Sequence, residues 1–502
     1  MNWFAAAVVS CCFPLLVQAE AAPGSGAPKF KADVPAAIQT PDFVETRTLG
    51  TLRFFDGMPA VDTVQKVDEF FDMARAAEAF LLGIPAASAY SIMEGFRKAG
   101  MQPGDLGLTE ELLDARSLFL TPNTTTVYGM LEFDVKDGPM VLEIPPAVLG
   151  PVQDAFFRFV VDFGPVGPDK GKGGKYVIAH ESYAGHLPDD AFEVRTRTYR
   201  NMGFFRVFLK DADTAAATAF VKKHFRCYPL AQAANPPPQR FVNLSGKKSN
   251  TIHSNDFSFF EELNAVIQHE PVGACDPVSL GVFASIGIRK GRTFAPDERM
   301  RRLLEEGVAI GNAKARAICF ANRDRSIFYY PDRQWFASFA GPHDFIESGI
   351  LELDKRVLWH YIATGVTPAM STPQEGTGSV YPMTCRDSEG NFLDGGKSYS
   401  VTLPAPIPVN NFWAFTVYDG QTRSLLETDQ KTAGIDSMSP LLQANPDGSY
   451  TVYFGPNPPE GKEGNWVQTT PGKSYFVFLR LYGPLKPWFD KSWKPGDFKR
   501  LD

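Results

Sequence analysis

The chain has few cysteines, no basic excess and, after its first segment, no long apolar run. Six of its 502 residues are cysteine, and none has the C-x-x-C spacing of a zinc site or a thioredoxin-like motif. Its formal net charge of −7 offers no basic surface to a phosphate backbone. No later segment approaches the roughly 20 apolar residues that span a bilayer. Neither a nucleic-acid partner nor a membrane span is therefore predicted.

The cysteines leave the redox state of the protein open. Four of them follow the first segment, at Cys227, Cys275, Cys319 and Cys385, and they are far apart in the sequence. Buried free thiols are one interpretation. An oxidising compartment would also permit one or two disulfides, and four cysteines allow three pairings that the sequence does not rank.

The first nineteen residues predict a signal peptide. They carry no charge, are mostly apolar and end in Val17-Gln18-Ala19, which resembles a small-residue cleavage site. A secreted or periplasmic location is therefore predicted. Because no basic residue precedes the apolar run, an uncleaved tail, or a lipoprotein acylated at Cys11, remains an alternative. Residues 20–44, rich in Ala, Pro and Gly, are predicted to be a linker.

Two helices followed by strands are predicted for an N-terminal domain over residues 45–211. Thr63 is a suitable N-cap, and the apolar residues after it recur with helical spacing until Gly83 and Pro85, where this helix is predicted to end. A second helix is predicted from Ala86 to Lys98. Seven short apolar or alternating runs then follow, separated by turn residues, and they predict a sandwich or a barrel.

A helical connecting region and a second β domain complete the predicted organisation. Residues 212–374 return to helical spacing, with Ser258 and Glu261 at the positions of a capping box. Strand-like runs then return, so residues 375–502 are predicted to form a C-terminal β-sandwich. The predicted fold class is mainly β with helical segments, an α+β chain in which helices join two sandwiches.

Several strings of the sequence are more specific than composition. They are TPNTTTVY, DFGPVGPDKGKGGKY, NTIHSNDFSF, RDSEGNFLDGGKSYSVTLPAPIPVNNFWAFTVYD and NWVQTTPGKSYFVFLRLYGPLKPWFDKSWKPG. They closely resemble the tandem family that joins domain of unknown function twelve-fifty-four to domain of unknown function twelve-fourteen. The resemblance extends from about Glu45 to Pro495. It implies an N-terminal immunoglobulin-like sandwich, a C-terminal jelly-roll-like sandwich and helices between them, usually in exported bacterial proteins. A family named for an unknown function implies no activity.

One position departs from the family motif. The motif commonly reads T-x-N-T-D-T-V-Y, and here Thr125 stands in the acidic place, within Thr121 to Tyr128. If that carboxylate serves catalysis or binds a metal elsewhere in the family, this chain lacks it. The exchange also creates an N-x-[ST] sequon at Asn123. A second sequon lies at Asn243, and both matter only if the source is eukaryotic and the sites are exposed.

The best-known catalytic motifs, among them G-x-S-x-G, H-E-x-x-H and the P-loop, are absent from the sequence. His253 is the most interesting of the seven histidines, because Asn255 and Asp256 stand beside it in a family-matching string. A histidine and a carboxylate together can perform acid–base chemistry or bind a cation. Alternatively, Asp256 or Asn255 caps the following helix and His253 makes a local hydrogen bond. His180 and His186 flank a glycine turn, but no third ligand is identifiable beside them, so no metal site is predicted.

Polar and aromatic residues of the two β domains predict a ligand site. Arginine interleaved with Trp and Tyr suits a carboxylate-bearing or saccharide-like ligand, through bidentate hydrogen bonds and ring stacking. The alternative is that the aromatic side chains fill the cores and the arginines cap their rims. The predicted ligand-binding residues are Asn123, Tyr128, Asp162, Asn255, Trp413, Tyr418, Arg423, Trp466, Arg480 and Tyr482.

Two functions are expected from these residues. The first is a hydrolase or lyase-like enzyme that acts on a small organic or saccharide-type substrate in a cleft between the domains. His253 and Asp256 would be its acid–base groups, and Arg158 would stabilise charge. The second is a lectin-like protein that binds such a ligand without turnover, with Trp413 and Trp466 as stacking surfaces. The sequence indicates no particular cofactor.

Overall fold

The computed structural model of the chain describes residues 29–207, 209 and 213–501. The predicted signal peptide over residues 1–19, and the beginning of the predicted linker, lie outside the described residues. The chain divides after Asp68 into two compact units. The first unit contains a short 3-10 helix and a three-stranded antiparallel sheet, with bounds Ala36–Ile38, Phe43–Thr46, Gly50–Phe55 and Met58–Pro59.

One continuous helix, Val61–Lys98, replaces the two predicted helices. The predicted end at Gly83 and Pro85 is wrong, because tertiary packing outweighs the local cost of a proline inside a helix. At Gly83 that packing is close, since a Cβ there would lie 3.0 Å from Leu263 and 3.3 Å from Phe259. Among the described residues, this is the one helix long and apolar enough to cross a membrane, and 72% of its apolar window is buried in the fold.

Two facing sheets form the N-terminal β segment. The six-stranded sheet has the order Phe241–Asn243, Leu106–Leu108, Val127–Asp134, Arg200–Val207, Val148–Asp154 and Phe159–Phe163. The four-stranded sheet has the order Phe192–Thr196, Gly174–His180, Met140–Ile144 and Arg226–Pro229. Apolar side chains of both sheets, among them Phe133, Leu142 and Tyr176, form one buried core. A separate strand pair consists of Ser117–Leu118 and Ser249–Asn250.

The six-stranded sheet has a second buried face. Its central strands pair in antiparallel register, so that Tyr128 lies opposite Arg206. Val127 and Phe205 belong to the core between the two sheets, whereas Tyr128 and Phe204 belong to a larger core on the other side. Since successive side chains of a strand point to opposite faces, Tyr128 and Arg206 share this outer face.

The region from residue 212 to 374 contains both helices and strands. Arg226–Pro229 and Phe241–Asn243 extend the edges of the two N-terminal sheets, and both are too short for a period of two to be legible in the sequence. The α-helices of this region are Thr214–His224, Ser258–His269, Pro277–Ser285, Glu298–Phe320, Leu353–Ile362 and Pro368–Ser371. The region also contains the 3-10 helices Leu230–Gln232, Val272–Ala274 and Arg325–Ile327. Strands Ile346–Glu347 and Ile350–Leu351 pair with each other.

Two further sheets form the C-terminal β segment. One has the order Phe336–Ala337, Pro382–Thr384, Tyr475–Tyr482, Trp413–Asp419 and Gly434–Asp436, and Ser379–Val380 also pairs with its central strand. The other has the order Trp466–Gln468, Tyr450–Gly455, Tyr399–Leu403 and Lys499–Arg500. Two short helical turns are Glu463–Asn465 and Lys486–Phe489.

The larger core joins the helices to the C-terminal sheets. It contains residues from the long helix, the connecting helices, the C-terminal sheets and the outer face of the six-stranded sheet. The fold is therefore mixed α+β. All four described cysteines are free, with Cys227, Cys319 and Cys385 buried and Cys275 half-buried, so the disulfide alternative is not realised.

Candidate functional site

A cleft of about 200 Å³ lies between the outer face of the six-stranded sheet and the C-terminal β segment. The sheet contributes Tyr128, Asp162 and Arg206, and the C-terminal segment contributes Tyr381 and Arg480. The chain around the end of helix Leu353–Ile362 supplies a third side. Aromatic residues that line the cleft are Phe119, Phe204, Phe205, Trp359 and Phe478. The cleft thus combines apolar walls with a small number of charged and phenolic groups.

Tyr381 is held between two arginines. Both terminal nitrogens of Arg206 donate to its hydroxyl at 3.3 Å, and the guanidinium carbon of Arg480 lies 4.9 Å from the centre of its ring. Burial raises the pKa of Tyr381, but the charges of Arg206 and Arg480 outweigh burial and lower the pKa to about 8. The phenol can therefore release its proton near neutral pH.

Arg480 is buried and partly unpartnered. Its Nη2 donates to the Thr121 carbonyl at 3.0 Å and to the Tyr418 hydroxyl at 2.6 Å, and that hydroxyl donates to the Pro122 carbonyl at 2.8 Å. Its Nε has no hydrogen-bond partner among the described residues. Among the described residues, no carboxylate forms an ion pair with Arg480 or with Arg206. The charge of Arg480 is therefore available to an anion.

Asp162 supplies a second titratable group. Its Oδ2 accepts from the Thr367 hydroxyl at 2.8 Å, whereas its Oδ1 is buried and has no partner in the described part of the chain. Burial raises the pKa of Asp162 to about 6, against the opposing effect of the Thr367 hydrogen bond. Such a carboxyl group can exchange a proton near physiological pH.

The family motif around Asn123 forms a loop beside the cleft. The Oδ1 of Asn123 accepts from the backbone N–H groups of Thr125 and Thr126, at 3.0 Å each, and from the Thr126 hydroxyl at 3.0 Å. The backbone N–H of Asn123 donates to the Tyr128 hydroxyl at 3.1 Å. Thr125 donates its hydroxyl to the same Oδ1 at 3.4 Å. Asn123 thus organises the loop and orients Tyr128.

Six of the predicted ligand-binding residues lie at the cleft or beside it. Tyr128, Asp162 and Arg480 line it. Asn123 bonds to Tyr128, and Tyr418 bonds to Arg480. Tyr482 is close enough to Arg480 for the charge to oppose the rise in its pKa that burial causes, and its ring stacks on Phe412.

His253 lies elsewhere, in an apolar environment. It is 2% exposed and its Nδ1 donates to the Ser254 carbonyl at 2.9 Å. Its ring contacts those of Phe80, Phe259 and Tyr361. Burial, together with the charge of Arg423, lowers the pKa of His253 to about 3, so the ring is neutral at physiological pH.

Asp256 and Asn255 precede helix Ser258–His269 and do not line the cleft. The Oδ1 of Asp256 accepts from the Ser258 N–H at 2.9 Å, but Asp256 stands one residue before the N-cap, so neither Asp256 nor Asn255 is the helix cap. The predicted capping box of Ser258 and Glu261 is wrong, because Ser258 is already the first helical residue and Phe257 occupies the N-cap.

The other predicted residues are also outside the cleft lining. Arg158 forms an ion pair with Asp154 at 2.6 Å and is 37% exposed. Trp413 is buried in the larger core, and the Nε1 of Trp466 donates to the Gly455 carbonyl at 2.9 Å. Arg423 is fully buried beside Tyr361.

Arg206, Tyr381 and Thr367 are the cleft residues that the sequence did not reveal. Arg206 interrupts an aromatic strand, and a charged residue at an inward position of a strand is a signal in retrospect. Tyr381 and Thr367 stand in short connections with no such signal. No group of three or more His, Cys, Asp or Glu able to hold a metal occurs within the described residues.

The fold is that of a two-segment α+β protein, in which helices connect an N-terminal group of sheets to a C-terminal group. Residues 103–229 match the family model Protein of unknown function (DUF1254). Residues 378–486 match Protein of unknown function (DUF1214). The two matches stand in the order predicted from the motifs of the sequence, which confirms the resemblance to the tandem family.

Solved structures support the fold alone. The chain is 20% identical to the VPA0106 protein from Vibrio parahaemolyticus, with a TM-score of 0.53 and coverage of 86% of this chain and 100% of that one. It is 12% identical to an uncharacterised protein from Burkholderia cenocepacia, with a TM-score of 0.38 and coverage of 87% and 96%. The second likeness is too distant to carry an argument. No curated protein matches the chain.

Proposed function

We propose that the chain is a lyase-like enzyme that removes a proton from a small organic or saccharide-type carboxylate in the cleft between the two β segments. The observation that carries this proposal is the Tyr381 hydroxyl, held by Arg206 at 3.3 Å with Arg480 beside its ring. A base next to two cations suits a reaction in which negative charge develops on the substrate.

The proposed roles follow from the charges of the cleft. A hydrogen on the carbon beside a carboxylate becomes acidic when the carboxylate charge is offset, and arginine offsets it through paired hydrogen bonds. Arg480, with its free Nε, is suited to bind the carboxylate. The Tyr381 phenolate takes the proton, and Arg206 stabilises the phenolate. Asp162, when protonated, is suited to donate a proton to the leaving oxygen.

Exchange of Tyr381 for phenylalanine tests the proposal. The probes are polyuronate oligosaccharides and small hydroxy acids, in which elimination creates a C=C bond conjugated to the carboxylate, detected by ultraviolet absorbance and mass spectrometry. Because the reaction needs Tyr381 ionised and Asp162 protonated, we expect the activity of the unmodified protein to be greatest between about pH 6 and pH 8 and to fall on either side. We expect Tyr381→Phe to lower kcat by about 100-fold or more, because the acid–base group is lost.

The matched control is Tyr453→Phe, which removes the same hydroxyl from a half-buried tyrosine outside the cleft lining and leaves activity unchanged. Turnover that is equal in Tyr381→Phe and in the unmodified protein contradicts the proposed role. A product whose mass has increased by one water identifies hydrolysis instead of elimination.

Lectin-like binding without turnover is the second candidate function. The aromatic walls of the cleft favour it, since Phe119, Phe204 and Trp359 offer ring surfaces to a sugar. Under this alternative, calorimetry detects binding of a uronate oligosaccharide, mass spectrometry detects no product, and Tyr381→Phe retains affinity. Product formation excludes it.

We further propose that the N-terminal sheets form an immunoglobulin-like sandwich and the C-terminal sheets a jelly-roll-like sandwich, in an exported protein. The shared core between the two N-terminal sheets supports the first part, and the uncharged apolar segment at residues 1–19 supports export. An experimental structure tests the topology. Mass spectrometry of the mature N-terminus in a periplasmic or secreted fraction tests export, with cleavage after Ala19 expected.

A further inference from the structure

Arg423 is a fully buried arginine whose charge has no partner. Its side chain is 0% exposed, and none of its three guanidinium nitrogens has a hydrogen-bond partner among the described residues. The guanidinium carbon lies 4.0 Å from the centre of the Tyr361 ring, so the ring covers one face. Because the N–H bonds lie in the guanidinium plane, stacking on a ring leaves the edge of the guanidinium open to an acceptor.

A second arginine lies near Arg423, and Tyr361 and Cys319 are the nearby groups that oppose its effect on the pKa of Arg423. Burial, and after it the nearby charge of Arg316, lower the pKa of Arg423. Arg316 uses its own donors on the carbonyls of Gly420 and Gln421, at 2.8 and 3.0 Å. In the part of the chain that the structure describes, no carboxylate forms an ion pair with Arg423. A buried charge without a counter-charge is strongly unfavourable.

The backbone directs this side chain inward at a conformational cost. Arg423 has a φ of 62°, in the left-handed region that arginine rarely adopts. Its N–H donates to the Asp419 carbonyl at 2.9 Å, and its own carbonyl accepts from the Thr121 N–H at 3.1 Å. Thr121 belongs to the N-terminal segment and Tyr361 to a connecting helix, so Arg423 stands where three parts of the fold meet.

We propose that Arg423 binds a halide-sized inorganic anion, chloride in ordinary salt solutions, at this meeting point. Binding makes the anion a structural component, because it offsets a charge that the protein leaves unpaired. Arg423 is 0% exposed and does not line the cleft, so a single-atom ion fits its surroundings better than phosphate does. The site is separate from the cleft and does not depend on the proposed lyase function.

Crystals of the unmodified full chain grown in sodium bromide test the site directly. We expect an anomalous bromine peak within hydrogen-bond distance of the Arg423 guanidinium. A guanidinium surrounded by protein atoms or water alone, with bromide only at exposed surface positions, overturns the proposal. This measurement needs no variant, so it stands even if substitutions of Arg423 do not fold.

Thermal unfolding tests the same site in solution. At constant ionic strength, replacement of sodium methanesulfonate by sodium chloride or bromide is expected to raise Tm, by about 2 °C for each tenfold increase in halide above Kd. Arg423→Gln is expected to abolish this rise. Arg299→Gln removes an equal charge from a half-exposed arginine that is paired with Asp72. This variant is expected to retain the rise in Tm. Equal halide dependence in all three proteins overturns the proposal.

Discussion

At the residue scale, Asp162 makes the stability of the fold depend on pH. Burial raises its pKa to about 6, above the ordinary value of 3.8. Between these two pH values the folded state holds a proton that the unfolded state has lost. The free energy of unfolding therefore falls as pH rises through this interval, and the contribution is complete below 3.8 and lost above about 6.

Exchange of Asp162 for asparagine removes this dependence. The amide oxygen still accepts the Thr367 hydrogen bond, while the buried negative charge is gone. The measured quantity is the free energy of unfolding of Asp162→Asn minus that of the unmodified protein, from urea unfolding. We expect this difference to be about 2–3 kcal/mol greater at pH 7.5 than at pH 4. Glu261→Gln, which removes an exposed carboxylate, is the control. A variant that loses stability equally at both pH values contradicts the assignment.

The sequence predicted the cleft residues unevenly, for a physical reason. Asp162 and Arg480 are polar residues inside strands of strong apolar character, and such exceptions are visible in one dimension. Tyr381 acquires its role from Arg206, 175 positions away along the chain. His253 has polar neighbours in the sequence that suggested catalysis. Burial keeps its ring neutral, and its hydrogen bond is to the adjacent Ser254 carbonyl. Proximity in sequence and proximity in space diverge here.

At the scale of elements, helix Glu298–Phe320 approaches the long helix through glycine. A Cβ at Gly307 would lie 2.3 Å from the Ala76 Cβ and 2.8 Å from the Met73 carbonyl, and one at Gly311 would lie 2.9 Å from Phe80. No real Cβ tolerates such contacts, so the helices must separate to admit one. Glycine inside this helix is therefore a packing requirement, although it weakens the isolated helix.

Gly307→Ala is expected to destabilise the fold despite the better helix propensity of alanine. We expect a loss of about 1–3 kcal/mol in the free energy of unfolding from overpacking, measured by denaturant titration. Gly281→Ala, in helix Pro277–Ser285, meets nothing within 4 Å and is expected to be neutral or to gain about 0.5–1 kcal/mol. If both substitutions change stability alike, close helix packing is not the cause.

Helices and strands were predictable where the local sequence alone determines them. Helices Ser258–His269 and Glu298–Phe320 follow the apolar period of their own sequences. Strand Val148–Asp154 contains Gly150 and Pro151, residues typical of turns that conceal the strand in the sequence. Gly150 is required there by the approach of the neighbouring strand, since a Cβ would lie 1.8 Å from the Phe204 carbonyl. Contacts between distant strands decide such positions.

At the scale of the whole molecule, the two cores predict two groups of elements, each of which unfolds cooperatively with its own opening free energy. Helix Glu298–Phe320 and strand Tyr475–Tyr482 share the larger core, with Phe320 and Phe476 in ring contact at 5.4 Å. Strand Gly174–His180 contributes Tyr176 and Ile178 to the separate core of the N-terminal sheets. Elements that share a core are expected to open together.

Native-state hydrogen exchange in low denaturant measures these openings. We expect the amides of helix Glu298–Phe320 and strand Tyr475–Tyr482 to have one common opening free energy, and those of strand Gly174–His180 to have a different one. Exchange of the helix well before the strand that it contacts would show that the larger core is not a cooperative unit.

Three of the hydrogen bonds that join the two family segments beside the cleft use only backbone atoms of the N-terminal segment. Arg480 donates to the Thr121 carbonyl, Tyr418 to the Pro122 carbonyl, and the Thr121 N–H to the Arg423 carbonyl. Side-chain exchange in the loop, such as threonine for the common acid at position 125, leaves these bonds intact. Halves recombined from different members of the family should therefore dock in the same register, so chimeric chains offer a way to assign ligand preference to one half or the other.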